Sequence, residues 1–341
     1  MRLHLGYVPL CDAAPLIAAA EMGFARAEGL ELELSAEPSW ATLRDRLALG
    51  YLDAAHMLAP LALASALGLS GPPSDITVPL SLSLNGNAVT LSTALWEAMA
   101  LGEEEAEDLD AVARAFGRIA GERRAAGRPL TLGTVHPFSC HTYQLRLFGA
   151  RGGIALSAVR LVAMPPQYSV EALSRGIVDG FCAGAPWNSV AAADGIGRIA
   201  ALGCEIAPDC PEKVLAVPER LGEARLALVR AVGRAGLWCA DPENRTELSH
   251  RLARRSYLGT DAGLVARCLD GDLVLDGAGR RRTAPDYLRF DAAAQAPDLA
   301  HVRRLLGEME AAEQLPPGRD LRAEAEAVYR PSLFESAGIV P

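Results

Sequence analysis

The stretch ITVPLSLSLNGNAVTLS, residues 76–92, decides how this chain is divided. It is rich in strand-forming residues along its whole length and is interrupted only by the turn-forming Asn85-Gly86-Asn87. No helix of about ten residues separates its two halves, as a parallel crossover would need. We therefore expect one extended segment that passes from a first lobe of the protein into a second.

Short apolar runs alternate with helical patterns on both sides of this segment. Before it, the predicted strands are RLHLGYV, LELELS and DAAHML, and the predicted helices are APLIAAAEMGFARAEG, WATLRDRLALG and APLALASALGL. After it, strands are predicted at 130–135, 157–164 and 180–184, with helices at 140–148 and 169–180. This alternation predicts parallel sheets covered by helices.

A second extended run, CPEKVLAV at 210–217, offers a return path between the lobes. The 341 residues fit about two lobes, so the sequence predicts an α/β clamp with its ligand between them. The part after Pro218 is mostly helical, apart from an irregular insert at 271–290. The basic run RRR within that insert is compatible with a solvated loop, a partner contact or the edge of a hairpin.

Composition excludes several classes of protein. The net charge of -9 argues against a surface that binds nucleic acid, and no apolar run approaches the length of about 18 residues that spans a membrane. The N-terminus lacks a leader pattern, which predicts a cytoplasmic protein unless a leader has been removed. The seven cysteines are irregularly spaced without a C-x-x-C motif, so we expect reduced thiols and no metal site.

Four residues at turns are candidates for ligand binding. Trp40 begins a helix after Ser39, Asn87 lies at the crossover, His141 begins a helix after Ser139, and Lys213 lies in the second extended run. Each has an ordinary explanation as a core aromatic, a turn residue, or an exposed polar or charged side chain. Lys213 is nevertheless the one lysine among 33 basic residues, which a general preference for arginine does not explain.

Together these residues predict a site for a small anion. One ammonium, an indole N–H, an imidazole, an amide and nearby helix N-termini supply several donors but one full charge. Such a set suits a weakly hydrated monoanion, and nitrate or nitrite fits. Phosphate usually requires paired arginines or a glycine-rich loop, and these turns contain neither.

Seven stretches resemble the nitrate-binding branch of the solute-binding proteins, which includes NrtA and CmpA, and more closely the NasS-type cytoplasmic nitrate/nitrite sensors. They are GYVPLCDAAPLIAAAEMGFARAEGLELELS, SWATLRDRLALGYLDAAHMLAP, LSLNGNAVTLS, HPFSCHTYQLR, VDGFCAGAPWN, CPEKVLAV and VYRPSLF. The resemblance implies a type II bilobal fold, with lobe 1 at 1–86 plus 205–341 and lobe 2 at 87–204. It also implies a nitrate or nitrite ligand and no cofactor.

The resemblance further implies which residues meet the anion. The family's Trp, amide, His and Lys contacts fall on Trp40, Asn87, His141 and Lys213, although the transport proteins carry Gln where Asn87 stands. The segment APWN places Trp187 and Asn188 at the hinge or floor of the cleft, and the helix cap Ser139 joins the candidate set. Ala185 replaces the Glu of the transporter-linked proteins, which favours the sensor.

By resemblance, such a sensor holds a NasT-type antiterminator with an ANTAR domain and releases it when nitrate or nitrite binds. The main alternative is the substrate-binding component of a nitrate/bicarbonate ABC transporter. We do not expect an enzyme, because neighbouring Cys140 and His141 at a helix start point about 100° apart. Ligation of a metal by His136 and His141 is disfavoured, since their i, i+5 spacing puts them on different faces of a helix and the intervening Pro137 suggests that His136 lies in the loop.

Overall fold

The computed structural model describes residues 1–339. Its strands are β1 (Arg2–Tyr7), β2 (Glu31–Ala36), β3 (Ala54–Leu58), β4 (Ile76–Asn85), β5 (Asn87–Ser92), β6 (Thr131–Thr134), β7 (Arg160–Ala163), β8 (Gly180–Gly184), β9 (Gly197–Leu202), β10 (Pro211–Pro218), β11 (Asp272–Val274), β12 (Arg281–Thr283) and β13 (Leu288–Arg289).

The helices cover both faces of the sheets. They are α1 (Ala14–Glu21), α2 (Phe24–Ala27), α3 (Trp40–Ala48), α4 (Ala59–Ala66), α5 (Thr93–Met99), α6 (Leu109–Ala125), α7 (Cys140–Arg151), α8 (Ser169–Ser174), α9 (Trp187–Ala193), α10 (Gly203–Ile206), α11 (Ala224–Ala240), α12 (Arg245–Leu252), α13 (Ala262–Asp270), α14 (Ala292–Gln295), α15 (Leu299–Ala311), α16 (Arg322–Val328) and α17 (Pro331–Ala337). Within residues 1–339, none of them combines the length and apolarity needed to cross a bilayer.

The strands form two main sheets, one in each lobe of an α/β bilobal fold. The first has the order β13-β4-β10-β3-β1-β2, and the second has the order β7-β6-β8-β5-β9. The predicted parallel pairs are present between β1 and its neighbours β2 and β3, and between β6 and its neighbours β7 and β8.

The prediction of parallel sheets was wrong at the short edge strand β13, which is antiparallel to β4, and at two longer strands. β5 is antiparallel to β8 and β9, and β10 is antiparallel to β3 and β4. Both strands enter their sheet directly from the other lobe, without the covering helix that returns the chain to a parallel start. The result is two mixed sheets whose reversed strands lie next to the lobe junction.

The crossover predicted at residues 76–92 is confirmed. β4 belongs to the first sheet and β5 to the second, and the chain turns between them through Asn85 (φ 61°) and Gly86 (φ 97°). Both lie in the left-handed region that Asn and Gly tolerate best. The Asn85 side chain accepts a hydrogen bond of 2.8 Å from the Cys210 amide, which ties the outgoing segment to the returning one. The exact lobe boundaries at 86/87 and 204/205 stay a prediction.

Apolar side chains from the helices fill the space against both sheets. In the first lobe, Leu5 and Leu215 pack in the cluster that α1 and α11 cover, whereas Val214 packs on the opposite face beneath α3 and α4. In the second lobe, Phe116 of α6 and Phe148 of α7 meet at 5.2 Å between ring centroids. Because helices pack closely against both sheets, the strand ends at the junction of the lobes are held in fixed positions.

Two local predictions require correction. The helix predicted over APLIAAAEMGFARAEG is divided into α1 and α2, because Gly23 adopts φ 89° and stops the first helix. The irregular insert at 271–290 contains the hairpin β11–β12, followed by β13 at the edge of the first sheet. Of the three readings of the basic run, the hairpin edge is the observed one, and Arg282 contacts Glu205 at 3.0 Å and Glu107 at 2.6 Å.

Candidate functional site

Lys213 lies on the inner strand β10 of the first sheet. It stands opposite Leu58 of β3 on one side and Ser83 of β4 on the other. Its side chain is completely buried, with 0% exposure. The Nζ atom lies 5.5 Å from the centroid of the Trp40 ring, within the range of a cation–π interaction. The single lysine of the chain is therefore an interior residue and not a surface cation.

Two carboxylates bind the Lys213 ammonium. Nζ lies 2.9 Å from Asp12 Oδ2 and 2.5 Å from Glu212 Oε2. Burial alone would lower the pKa of Lys213, but Asp12 and then Glu212 raise it above its usual value. Burial likewise opposes ionisation of Asp12, yet Lys213 and His56 lower the pKa of that carboxyl to about 2. Lys213, Asp12 and Glu212 therefore stay ionised at neutral pH.

His56 completes the first-lobe side of the cluster. It lies on β3 with its ring 5.3 Å from the Trp40 ring, and its Nε2 is 2.9 Å from Asp12 Oδ1. Burial lowers the pKa of His56, although Asp12 opposes the shift. The neutral imidazole and the indole thus enclose the ion pairs on the side of α3.

The second lobe contributes one face of α7. This helix begins at Cys140 because the Ser139 hydroxyl caps it, accepting a hydrogen bond of 3.2 Å from the Thr142 amide. His141 and Gln144 are three residues apart, so both side chains leave the same face of the helix. His141 Nδ1 lies 3.7 Å from Glu212 Oε1 across the junction. Burial lowers the pKa of His141 to about 4, and Glu212 opposes this shift only in part.

Asn87 joins the cluster from the first residue of β5. Its Nδ2 donates to Gln144 Oε1 at 3.1 Å. Gly184 marks the point where Asn87 approaches the ion pairs, because a Cβ on that glycine would lie 3.5 Å from both Asn87 Oδ1 and Asp12 Oδ2. The amide side of the second lobe and the charged side of the first therefore meet at Gly184.

Several polar atoms in this cluster are buried without a hydrogen-bond partner within residues 1–339. They include Trp40 Nε1, Asn87 Oδ1, both ring nitrogens of His141, Gln144 Nε2 and Glu212 Oε1. A buried donor without an acceptor costs about 1–3 kcal/mol, so each of these atoms requires an explanation, and a bound ligand is one. The indole, amide and imidazole offer N–H groups, which suit an oxygen-bearing ligand.

Three predicted residues are not brought into this cluster. Trp187 donates from its indole to the Pro9 carbonyl at 3.0 Å and so links the two lobes. Asn188 donates to Ala183 O at 2.6 Å and accepts from Thr90 Oγ1 at 2.8 Å, which satisfies its amide inside the second lobe. Ser139 uses its hydroxyl as the helix cap and donates it to His136 O at 2.6 Å. The polar groups of these three residues are therefore satisfied by hydrogen bonds within the protein, and they do not require a ligand.

Sequence reasoning missed four members of the cluster: Asp12, His56, Gln144 and Glu212. Gln144 could have been found from its i, i+3 spacing to His141 on a predicted helix, and Glu212 from its position beside Lys213. Asp12 and His56 give no such signal, because each is one polar residue in an apolar segment. The expectation of a lone positive charge surrounded by neutral donors was therefore wrong, since two carboxylates accompany the ammonium.

The thiol of Cys140 is not available as a nucleophile in this structure. Its Sγ lies 3.3 Å from the Pro211 carbonyl, and burial raises the pKa of the thiol well above its usual value. Reactive cysteines have a lowered pKa and are partly exposed.

His136, the other candidate metal ligand, lies in the loop before α7, where its Nδ1 accepts a hydrogen bond of 3.1 Å from the Phe138 amide.

Comparison with known proteins places the chain in a family. The model of the NMT1-like family matches residues 1–253. The nitrate/nitrite binding protein NrtA of Synechococcus elongatus is 32% identical over 348 residues, which cover 98% of this chain and 76% of that protein. The nitrate import ATP-binding protein NrtC of Synechocystis is 37% identical over 276 residues; the match covers 78% of this chain, which spans only 39% of that relative's length.

A solved structure agrees in fold. The crystal structure of the periplasmic nitrate-binding protein NrtA from Synechocystis superposes with a TM-score of 0.90 at 25% identity, covering 99% of this chain and 88% of that one. The match extends over both lobes and the junction between them. The chain thus belongs to the NMT1-like family and has the bilobal α/β fold of the periplasmic binding proteins.

Proposed function

We propose that this chain binds a small planar monoanion of the nitrate class between its two lobes. The observation that carries the proposal is the group of unpartnered N–H donors on Trp40, His141 and Gln144, which come from both lobes and surround the Lys213 ion pairs. The name of the relative NrtA, a nitrate/nitrite binding protein, supports the same ligand class.

The charges of the cluster limit the anion. Asp12 and Glu212 together already exceed the single charge of Lys213, so the cluster repels any anion, and it repels a divalent anion more strongly than a monovalent one. A monoanion whose charge is spread over planar oxygens can instead accept hydrogen bonds from the neutral donors. Chloride lacks this geometry and should bind more weakly than nitrate or nitrite.

A binding role explains why the site residues come from both lobes. The side chains of Trp40, Asn87, His141 and Lys213 have 0% exposure, so a ligand enters only when the lobes separate. An anion that contacts both faces stabilises the closed arrangement over the open one. Closure then presents a changed outer surface to a partner protein.

The proposal has two forms, which differ in the partner protein that the chain would bind. Similarity to NrtA and NrtC supports the substrate-binding component of an ABC transporter for nitrate-class anions. The cytoplasmic sensor that controls a NasT-type antiterminator stays a prediction from the sequence, as does the cytoplasmic location. Mixing the chain with an ANTAR antiterminator and then adding nitrate distinguishes the transporter form from the sensor form. Only the sensor form requires a complex with the antiterminator that dissociates when nitrate binds.

Calorimetry with nitrate, nitrite, bicarbonate and chloride tests the proposal. We expect the first two anions to bind the wild type, and Trp40→Phe to weaken binding about tenfold or more, since a hydrogen bond to a charged group contributes about 1.5–3 kcal/mol. Trp238→Phe, on α11 of the first lobe, is the matched control and should leave affinity unchanged. No binding of any of the oxyanions, or equal affinity in Trp40→Phe and the wild type, would reject the site.

A further inference from the structure

A second group of potential ligands lies beside the anion cluster, at the junction of the lobes. Cys140, Cys210 and Glu212 place one ligand atom each within 4.8 Å of one another. All three residues are buried, with exposures of 2%, 4% and 0%. Cys140 begins α7 in the second lobe, whereas Cys210 and Glu212 belong to the segment that re-enters the first sheet as β10.

We propose that these residues form a site for a thiophilic divalent metal of the zinc class. Two sulfur ligands and one carboxylate oxygen are a donor set that Zn²⁺ accepts, and three protein ligands leave a fourth position open. A tetrahedral site needs Zn–S distances of about 2.3 Å, which small side-chain rotations can supply from the present spacing. The assignment does not depend on the binding of an anion.

Unpartnered atoms point to a ligand at this place. Glu212 uses Oε2 for Lys213, but its Oε1 has no hydrogen-bond partner within residues 1–339, and neither has the nearby His141 Nδ1. The two atoms lie 3.7 Å apart. Glu212 Oε1 is therefore a buried carboxylate oxygen that is free to bind a cation.

The local charge also favours a cation. The buried ionised groups at this junction are Asp12, Glu212 and Lys213, which sum to an excess of one negative charge. A divalent metal would displace the thiol protons of Cys140 and Cys210, because metal binding ionises a coordinated thiol outright.

The ligands explain why spacing along the chain gave no indication of a metal. Cys140 and Cys210 are distant in sequence, and Cys140 donates its thiol to the Pro211 carbonyl at 3.3 Å, directly between Cys210 and Glu212. Because one ligand comes from the second lobe and two from the first, a bound metal would join the lobes. The site would therefore favour the closed arrangement.

Cobalt titration of the reduced, chelator-treated full chain in nitrate-free buffer tests the proposal. We expect one equivalent of Co²⁺ to bind with thiolate-to-metal charge-transfer absorption, and added Zn²⁺ to displace it. Cys140→Ser and Cys210→Ser should each weaken binding at least about tenfold, since even groups that only support a metal ligand contribute that much. Cys239→Ser, a buried thiol on α11 outside the junction, is the matched control and should bind cobalt as the wild type does.

A measurement on the wild type guards against variants that misfold. Zinc-edge X-ray absorption of the loaded protein should show two sulfur neighbours at about 2.3 Å with nitrogen or oxygen completing the shell. The proposal is overturned if the reduced wild type binds no cobalt, if the absorption persists in folded Cys140→Ser, or if only light atoms surround the zinc. Loss of two titratable thiols in air, without cobalt binding after reduction, would identify a disulfide pair instead and equally exclude the metal site.

Discussion

The two faces of the lobe junction differ in how their polar groups are satisfied. On the first-lobe face, the Lys213 ammonium forms short ion pairs with Asp12 and Glu212, although Trp40 Nε1 and Glu212 Oε1 have no hydrogen-bond partner within residues 1–339. On the second-lobe face, no partner among residues 1–339 reaches the two ring nitrogens of His141 or the amide nitrogen of Gln144. Folding therefore satisfies the charged groups of the first face, whereas the neutral imidazole and amide of the second face are groups that the proposed ligand would satisfy.

This difference separates stability from binding at neighbouring residues. Removing one member of a buried ion network leaves a charge without compensation, and stability falls. Removing a polar group that has no partner in the folded protein relieves a desolvation cost, so stability stays or rises while ligand affinity is lost. Variants on the two faces should therefore move stability and affinity in different ways.

The largest expected effect is the loss of stability on the first-lobe face. Lys213→Met keeps the volume of the side chain but leaves Asp12 and Glu212 buried and unpaired. The free energy of unfolding should fall by about 3–5 kcal/mol, measured by urea denaturation. Adding Glu212→Gln to Lys213→Met should recover part of the loss. An unchanged unfolding midpoint in the single variant would mean that the network contributes nothing to stability.

Acid should weaken the fold through buried histidines. Burial lowers the pKa of His136, before α7, to about 4, and burial also lowers the pKa of His56 on the first face. Because the unfolded chain binds these protons near pH 6.5 and the folded chain does not, stability falls as pH drops from 6.5 toward 4.

His136 contributes up to about 1.4 kcal/mol per pH unit in that interval, and the lowered pKa of His56 acts in the same direction. Chemical denaturation at several pH values measures the slope, and His136→Phe should make it shallower. A free energy of unfolding that stays level between pH 6.5 and 4.5 would contradict the depressed pKa values.

The second-lobe face predicts an opposite pattern. His141→Phe removes two ring nitrogens that have no partner, so the midpoint of unfolding should stay or rise. Nitrate affinity should fall about tenfold or more, since a hydrogen bond to a charged group contributes about 1.5–3 kcal/mol. Asn188→Ala is the matched contrast: its amide is fully bonded within the second lobe, so stability should fall while nitrate affinity stays.

The smallest expected effect is at the helix cap. Ser139→Ala should cost about 1 kcal/mol of stability, as loss of a cap does, and should leave nitrate affinity within twofold of the wild type. Thermal unfolding and calorimetry measure the two quantities on the same sample. A large loss of affinity without loss of stability would instead place the Ser139 hydroxyl on the ligand.

Much of the fold could be predicted from the sequence because its signals are local. The crossover at Asn85-Gly86 and the caps Ser39 and Ser139 are readable from residue types at adjacent positions. The antiparallel direction of β5 and β10 was missed because strand direction depends on which lobe the chain arrives from. A period-2 pattern alone carries no information about that direction.

The candidate site was predictable only in part for the same reason. Trp40, Asn87, His141 and Lys213 lie at turns or stand out by composition, and the structure brings them together. Asp12 and His56 contact Lys213 or one another through pairings between distant strands and turns, which no local spacing encodes. Asn188 belongs to the segment APWN, which predicted a place at the hinge or floor of the cleft, yet its side-chain hydrogen bonds all lie within the second lobe.

A crystal structure of the wild type grown with nitrate tests the central claim most directly. We expect flat, triangular electron density for nitrate at the junction of the lobes. The nitrate oxygens should lie about 2.7–3.2 Å from Lys213 Nζ, Trp40 Nε1 and a ring nitrogen of His141. Nitrate found elsewhere on the protein, with the donors of both faces still unpartnered, would contradict the claim that the two lobes close on a planar anion.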